Sequence, residues 1–357
     1  MATRAWRYPE VPVLYYHSTP ALDERGGADG EPAGLQHTQL AGVTHQGLAM
    51  NYGPSISSRV TAAGMHIIRT EITDVSPGRP GNFWGKVNFG KILTDFRYPD
   101  MPGEFIQRWL AALKLPAHGI AFDVEWPIMK PELYPYTAED AVVAKAWGLE
   151  WGDGEPEKRT VRFTNFSCKE VATIVRLFFH LAQTAHPTIQ WCVVFSGYPR
   201  LRWSEYGSVE ASYGADFELL TKPLTWRGLS LPPITHAMCA WNTDVRLPKA
   251  ARDWVLTAPL PMLHAIQLSR DLAANPANFA AQIQDRISLL RPRKGDGFGL
   301  VNFLDKQFTT GGETRTEGEG APHVFSAVDE WLLHMFRGEL TRAGFRLSGD
   351  GSPDNGF

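Results

Sequence analysis

The sequence has 357 residues, a formal net charge of −3 and 20% charged residues. This length suffices for one large domain or two ordinary ones, and the small net charge argues against nucleic acid or an anionic membrane surface as a partner. Residues 1–10 lack the apolar core of a secretion signal, and no stretch is apolar over the thickness of a bilayer. We therefore expect a soluble protein that is cytoplasmic, or released without a classical signal peptide.

The numbers of cysteines and aromatic residues bear on the class of protein. Cys168, Cys192 and Cys239 lie far apart and are odd in number, which argues against a disulfide framework or a Cys-rich metal site. The chain also contains twelve Trp and nineteen Phe. These either fill a large core or line a groove of flat side chains, as in many sugar-binding proteins.

Eight short apolar segments predict β-strands when the chain is followed in order. They cover residues 11–16, 47–53, 65–74, 119–126, 189–198, 236–242, 262–269 and 298–305. Several of these segments are followed by an amphipathic stretch that predicts a helix. The predicted helices are residues 54–63, the segment marked by Phe105 to Leu113, a segment from Ser167, a short piece at 253–256, a segment from Asn275, and residues 326–336.

Two helix boundaries have specific signals. Gly64 is placed to stop the helix at 54–63. Ser167 is followed three residues later by Glu170, the pattern of a capping box, which predicts a helix start at Ser167.

The segments between these elements include long stretches without clear periodicity. Residues 20–46 are predicted to form a long loop, residues 75–102 an irregular segment and residues 127–160 another long insertion. Residues 199–234 are predicted to hold a short helix near 204–212 and a piece near 217–220. Residues 348–357 are polar and Gly-rich, so they predict a disordered tail. Insertions 20–46, 127–160 and 199–234 would shape any binding site that they border.

Alternation of strand and helix over this length predicts a parallel sheet, and eight strands predict an α/β fold of the (β/α)8 barrel class in one domain, residues 1–347. The alternative is a doubly wound open sheet. Such a sheet usually carries a Gly-rich phosphate-binding turn after its first strand, and the sequence has none there.

The active sites of (β/α)8 barrels lie at the carboxyl ends of the strands. The fourth strand ends in Asp123 and Glu125, which alternation places on the same face, about 7 Å apart. Arg69 is the one basic residue at a predicted strand end, so the pocket suits a neutral polyhydroxylated ligand. The other polar or aromatic residues at strand ends are His17, Asn51, Tyr52, Glu71, Asp74, Tyr198, Trp241, Asn242, Gln267, Asn302 and Phe303.

The run Gly119-Ile120-Ala121-Phe122-Asp123-Val124-Glu125 resembles the fourth-strand signature of glycoside hydrolase family 18, the chitinase family, which is Asp-Gly-x-Asp-x-Asp-x-Glu. Asp123, Glu125 and Gly119 match it, whereas His118 and Ala121 stand where the family has acids. The signatures of hyaluronidases, in which Trp follows shortly as Trp126 does here, and of family 25 lysozymes are similar.

Two later strands resemble the same family less closely. Ala240-Trp241-Asn242 is similar to the x-Tyr-Asp of the sixth strand in chitinases, but Trp and Asn stand where that family has Tyr and Asp. Gly299 to Phe303 resembles the eighth strand, with Phe where the family has Trp.

This resemblance implies a glycosidase acting on a glycan with N-acetylhexosamine, such as chitin or peptidoglycan. Glu125 would be the general acid, kept protonated by the neighbouring anion, and Asp123 would orient and stabilise the substrate's N-acetyl group, which replaces an enzyme nucleophile. No cofactor and no metal are implied. The substrate-binding candidates are Tyr52, Glu71, Trp126, Tyr198, Trp241, Asn242, Gln267 and Phe303.

Other interpretations remain open from the residues alone. Glu125 could act in a different class of glycosidase, with Glu71 or Asp271 as its partner carboxylate. The barrel could instead have lost catalysis and bind a glycan or a protein. Acids at several strand ends could also hold Mg²⁺, or the Asp-x-Glu pair could be structural, held by backbone amides or an Arg.

Overall fold

The computed structural model describes residues 11–16, 33–49, 54–70, 89–97, 103–113, 115–124, 136–151, 154–199, 202–204, 207–208, 210, 214–239, 245–268, 274–291, 294–302 and 327–347. The predicted disordered tail lies outside these residues.

Eight parallel strands alternate with helices in a nearly closed barrel, the (β/α)8 class that the sequence predicts. In chain order the strands are β1 (Val13–Tyr16), β2 (His45–Ala49), β3 (His66–Thr70), β4 (Gly119–Asp123), β5 (Trp191–Ser196), β6 (Arg202–Ser204), β7 (Gly207–Ser208), β8 (Leu224–Trp226), β9 (Leu229–Leu231), β10 (His236–Cys239), β11 (Leu263–Leu268) and β12 (Gly297–Asn302). The short pairs β6–β7 and β8–β9 are separate two-stranded sheets. The other eight strands each overlap a predicted segment, so all eight strand predictions are confirmed.

Helices occupy more of the described chain than the sequence predicts. They are α1 (Ala33–Leu40), α2 (Pro54–Ala62), α3 (Phe89–Asp95), α4 (Glu104–Ala112), α5 (Ala138–Ala146), α6 (Val161–Ala185), α7 (Phe217–Thr221), α8 (Lys249–Thr257), α9 (Pro276–Ile287) and α10 (Ala327–Ala343). None of these helices has the length and apolar character needed to cross a membrane.

The chain divides into two compact units. One consists of Met1–Thr70 together with Met238–Phe357, and the other of Glu71–Ala237. In the first unit the strands pair in parallel in the order β11–β12–β1–β2–β3. Alternate strand residues such as Tyr15 and Leu300 join Phe279 of α9 and Phe336 of α10 in one hydrophobic core. The remaining strand residues therefore face away from these helices.

Helix α9 also supplies hydrogen bonds to the backbone of β11. The Gln282 side-chain oxygen accepts the backbone N–H of Gln267 at 3.1 Å, and Nε of Arg286 donates to the carbonyl of Ala265 at 3.3 Å. Both side chains are buried. These two backbone groups of β11 are thus satisfied by side chains of α9.

The second unit is built around α6, which packs on the parallel pair β4–β5. Phe178 of α6 stacks on Trp109 of α4 and on Phe122 of β4, at ring centroid distances of 4.6 and 6.3 Å. The side chain of Arg176, on the same helix, is buried and donates hydrogen bonds to four backbone carbonyls. These are the carbonyls of Leu219, Lys222, Leu231 and Pro232.

The capping-box prediction at Ser167 is wrong. Helix α6 begins at Val161, and the side chain of Thr160 accepts the N–H of Phe163 as its N-cap. Ser167 lies inside the helix, where its hydroxyl donates to the carbonyl of Phe163 one turn earlier. A Ser followed three residues later by Glu can therefore occur within a helix, and the apolar residues before Ser167 extend the buried face.

The predictions of a long loop at 20–46 and of an irregular segment at 75–102 were wrong in part, because both contain a helix, and the insertion at 127–160 contains a helix as well. Helix α1 lies within 20–46, α3 within 75–102, and α5 within 127–160. The predicted helix near 204–212 is replaced over its first residues by the β6–β7 hairpin, which contains an irregular register. The helix predicted near 217–220 is confirmed as α7, whereas α8 and α10 are longer than predicted.

Candidate functional site

Asp123 ends β4, at the carboxyl edge where barrel enzymes place their active sites. Phe122 faces α6 through its contact with Phe178, so strand alternation places Asp123 on the opposite face of β4. Asp123 is half-buried and lies in register with Phe195 of β5. The backbone N–H of Val124 then donates to the carbonyl of Phe195 at 3.1 Å, which extends the pairing one residue past the strand.

Tyr198 lies two residues beyond the end of β5 in the same unit. It is 2% exposed, so its side chain is buried. The sequence assigns Tyr198 to substrate binding, and that role stays a prediction.

In the other unit, Gln267 lies near the carboxyl end of β11 and is 5% exposed. Its neighbour Ile266 belongs to the helix-facing core, so alternation turns Gln267 to the opposite face of the sheet. Gln267 pairs in register with Val301 of β12, and Val301 pairs with Tyr16 of β1. Gln267 and Tyr16 are therefore two strands apart, about 10 Å between Cα atoms.

Tyr16 and Thr70 are polar residues on this face that the sequence analysis missed. Tyr16 ends β1 and is 5% exposed, and Thr70 ends β3 and is fully buried. Among the described residues, no group forms a hydrogen bond with the Thr70 hydroxyl. Strand alternation could have identified both residues. Tyr15 and Ile67 belong to the helix-facing core, so Tyr16, one residue later, and Thr70, three residues later, face the opposite side of the sheet.

Arg69 was the one basic residue expected at a strand end. Its side chain is buried and donates to the hydroxyl of Ser57 on α2 at 2.8 Å. Burial lowers its pKa to about 10. Arg69 thus faces a helix, and its charge is directed away from the sheet face that carries Thr70.

Most of the predicted site residues lie outside the described residues. They are Tyr52, Glu71, Glu125, Trp126, Trp241, Asn242, Asp271 and Phe303, together with His17, Asn51 and Asp74. Asn302 ends β12, but its side chain is also outside the description. Among the described residues, one unit carries Asp123 at the end of β4, and the other unit carries Gln267, Tyr16 and Thr70 near the ends of β11, β1 and β3.

The described residues give no support for a metal centre. Within that part of the chain, no three His, Cys, Asp or Glu side chains come together in an arrangement that could hold an ion. The three cysteines are buried, and none of them forms a disulfide bond. What remains at the strand ends is a carboxylate, an amide and hydroxyl groups, the types of group that bind sugar hydroxyls by hydrogen bonds.

No protein-family model and no curated protein matches this sequence. Among solved structures, the chain is similar to the agarase AgWH50C at 12% identity and a TM-score of 0.49, with 89% of this chain and 50% of that chain covered. The chain thus spans half the length of the agarase structure.

Two further structures show a similar level of likeness. The endo-β-1,4-glucanase Xac0029 from Xanthomonas axonopodis pv. citri is 11% identical with a TM-score of 0.43, covering 94% of this chain and 100% of that one. The C-terminal domain of Legionella pneumophila ChiA is 11% identical with a TM-score of 0.45, covering 93% and 98%. At TM-scores below 0.5, these likenesses assign neither a substrate nor a catalytic residue to this chain.

Proposed function

We propose that this protein is a glycoside hydrolase that acts on a glycan containing N-acetylhexosamine, with Glu125 as general acid and Asp123 as the neighbouring stabiliser. The observation that carries the proposal is the position of Asp123. It is a half-buried carboxylate at the carboxyl end of β4, on the face opposite Phe122. Catalytic residues of (β/α)8 enzymes come from such strand ends.

The chemistry follows from two carboxyl groups close together in sequence. Cleavage of a glycosidic bond needs an acid that protonates the leaving oxygen, and a group that stabilises the positive charge at the anomeric carbon. Glu125 would share a face with Asp123 if the extended conformation continues past β4. A carboxylate beside it favours the protonated acid, because two neighbouring negative charges repel each other.

Glu125 and Asp123 have different proposed roles. Asp123 would hold the N-acetyl group of the substrate as that group attacks the anomeric carbon, so no enzyme nucleophile is required. Gln267 and Tyr198 stay proposed substrate-binding residues. The others are Tyr52, Glu71, Trp126, Trp241, Asn242 and Phe303.

The test is product release from chitin oligomers, peptidoglycan and N-acetylglucosaminides, with glucose oligomers of the same linkage as unacetylated counterparts. Glu125→Gln should lower kcat by about 10²- to 10⁴-fold because it removes the acid. Glu104→Gln is the matched control, since Glu104 is an exposed partner of Arg108, and it should leave kcat unchanged.

Each alternative has its own result in this assay. Turnover of the unacetylated oligomers alone would exclude the N-acetylhexosamine substrate and favour another class of glycosidase, with Glu71 or Asp271 as partner of Glu125. Glycan binding without turnover in both proteins would favour a binding module. Full activity in Glu125→Gln would reject Glu125 as the acid.

A further inference from the structure

A groove on the second unit lies among elements that the proposed hydrolase site does not use. It has a volume of about 530 Å³ and is formed by α3, α5, α6 and the β8–β9 hairpin. Pockets for small ligands commonly have volumes of about 300–1,000 Å³. The lining residues are Thr94, Val142, Val143, Ala146, Trp147, Lys169, Pro223, Leu224, Thr225, Trp226 and Arg227.

The lining combines an apolar surface with positive charge. Its two charged residues, Lys169 and Arg227, are both cations, and no acidic side chain is among the lining residues. The chain as a whole carries a net charge of −3, so the groove differs in sign from the molecule. A cation-lined apolar groove favours a ligand that carries a negative charge on an apolar body.

Lys169 differs from other lysines of this unit in its partner. Lys91, Lys145 and Lys222 each lie within 4 Å of a carboxylate oxygen. The ammonium of Lys169 instead lies 4.9 Å from the ring centroid of Trp147, and among the described residues it has no carboxylate partner. It is partly buried, and burial lowers its pKa. A partly desolvated cation without a counter-ion gains from binding an anion.

The guanidinium group of Arg227 is held by hydrogen bonds from one of its nitrogens, Nη1. It has a φ of 47°, in the left-handed region that a non-glycine residue adopts at a cost. Its Nη1 donates to the carbonyls of Thr94 and Phe96, at 2.8 and 2.6 Å. No described residue accepts a hydrogen bond from its Nε or Nη2. These two atoms can together donate to both oxygens of one carboxylate.

The apolar wall of the groove is rigidly built. Trp147 and Trp226 meet edge to face with ring centroids 5.4 Å apart, and the indole N–H of Trp226 donates to the carbonyl of Leu93 at 3.3 Å. Val142 is 54% exposed, so the groove presents an apolar side chain to solvent. A ring or short chain on the ligand would cover this exposed surface.

We propose that this groove is a binding site for a carboxylate carried on a ring-shaped body, with Lys169 and Arg227 holding the carboxylate and Val142 and Trp147 contacting the ring. Two classes of ligand carry such a group, acidic sugars and aromatic acids, and the chemistry that they share is the carboxylate. This site is independent of the proposed hydrolase activity, since none of its residues belongs to the candidate hydrolase site.

The test is isothermal titration of the full-length chain with D-glucuronate and with 3-phenylpropionate, each compared with a neutral counterpart, D-glucose and 3-phenylpropionamide. At least one acid should bind saturably, and about ten-fold more tightly than its neutral counterpart. The acid that binds identifies the source of the ring. Failure of both acids to bind, or equal binding of the neutral compounds, would overturn the proposal.

Variants locate the binding in the groove. Lys169→Met should weaken binding about ten-fold, whereas Lys145→Met removes the same charge from an exposed position outside the groove and should change nothing. Val142→Glu should abolish binding through charge repulsion, and Val142→Gln, of similar size, should retain it. A thermal unfolding transition like that of the wild type shows that each variant is folded. Equal binding by Lys169→Met and Lys145→Met would overturn the proposal, and so would normal binding by Val142→Glu.

Discussion

Asp296 is a fully buried carboxylate just before β12 that several donors hold in its charged form. It accepts hydrogen bonds from the backbone N–H of Met262 at 2.9 Å and from the backbone N–H and Nε of Arg291 at 2.9 and 2.8 Å. Burial alone would raise its pKa, but the contacts with His264, Arg291 and the Met262 amide outweigh burial and lower the pKa to about 2. The network fixes the start of β12.

This pKa predicts a loss of stability in acid. The pKa of an unfolded Asp is near 3.9, so the charged network stabilises the fold fully above about pH 4 and loses that contribution as the pH falls through 2. The shift corresponds to about 2–3 kcal/mol. We expect the difference in unfolding free energy between wild type and Asp296→Asn to shrink by this amount from pH 5 to pH 2, measured by urea unfolding. A constant difference over that range would contradict the assignment.

At the scale of residues, the candidate site was only partly predictable. Asp123 was predictable because its type and its place after an apolar run are both visible in the sequence. Tyr16 and Thr70 were missed because they look like ordinary strand residues until the strand register shows which face they occupy. The direction of the Arg69 side chain was not predictable either, and its hydrogen bond to Ser57 shows that it faces α2.

Helices α3 and α5 approach each other closely at Gly90. A Cβ atom on Gly90 would lie 2.3 Å from Oδ1 and 2.4 Å from the backbone nitrogen of Asp140. Asp140 cannot move readily, because it forms a capping box with Thr137 at the start of α5. The contact between these helices therefore depends on the absence of a side chain at residue 90.

Gly90→Ala should destabilise the protein by about 1–3 kcal/mol through overpacking. The matched control is Gly154→Ala, because a Cβ there meets nothing within 4 Å and the backbone is not in the left-handed region. The control should change the free energy of unfolding by no more than about 0.5 kcal/mol. Chemical denaturation of both variants measures the difference, and equal stability of the two would refute the close contact.

At the scale of elements, the strands were more predictable than the helices. Buried parallel strands are continuous apolar runs, which stand out in any sequence. Helix α3 was missed because it has only seven residues, too few for the spacing of Phe89, Ile92 and Leu93 to stand out as a helical pattern. Helix α5 was missed because only two of its nine residues are buried apolar ones, Val143 and Ala144. The N-cap of α6 is Thr160. It was missed because Thr160 lacks a Glu or Gln three residues later, whereas Ser167 has Glu170 at that spacing by chance.

At the scale of the whole molecule, the eight barrel strands are divided between the two compact units. Neither unit holds all eight of these strands. The sequence predicts a single domain over residues 1–347, and this stays a prediction.

A single domain should unfold in one cooperative transition. Gly90→Ala in one unit and Phe336→Leu in the other should each move that same transition to lower temperature, because Phe336 is fully buried in the core of its unit. Calorimetry with parallel far-UV circular dichroism and tryptophan fluorescence provides the measurement. Two transitions, each moved by one variant alone, would show two independent domains.

The central claim is that the carboxylate at the end of β4 serves glycoside hydrolysis, and one comparison tests it most directly. It is the kcat for hydrolysis of an N-acetylglucosamine oligomer by wild type, Asp123→Asn and the control Asp253→Asn. Asp253 is an exposed partner of Lys249 on α8. We expect Asp123→Asn to lower kcat by about 100-fold or more, with Asp253→Asn unchanged and both variants folded. The claim would be contradicted if Asp123→Asn had the same kcat as an active wild type. It would also be contradicted if the wild type showed no turnover.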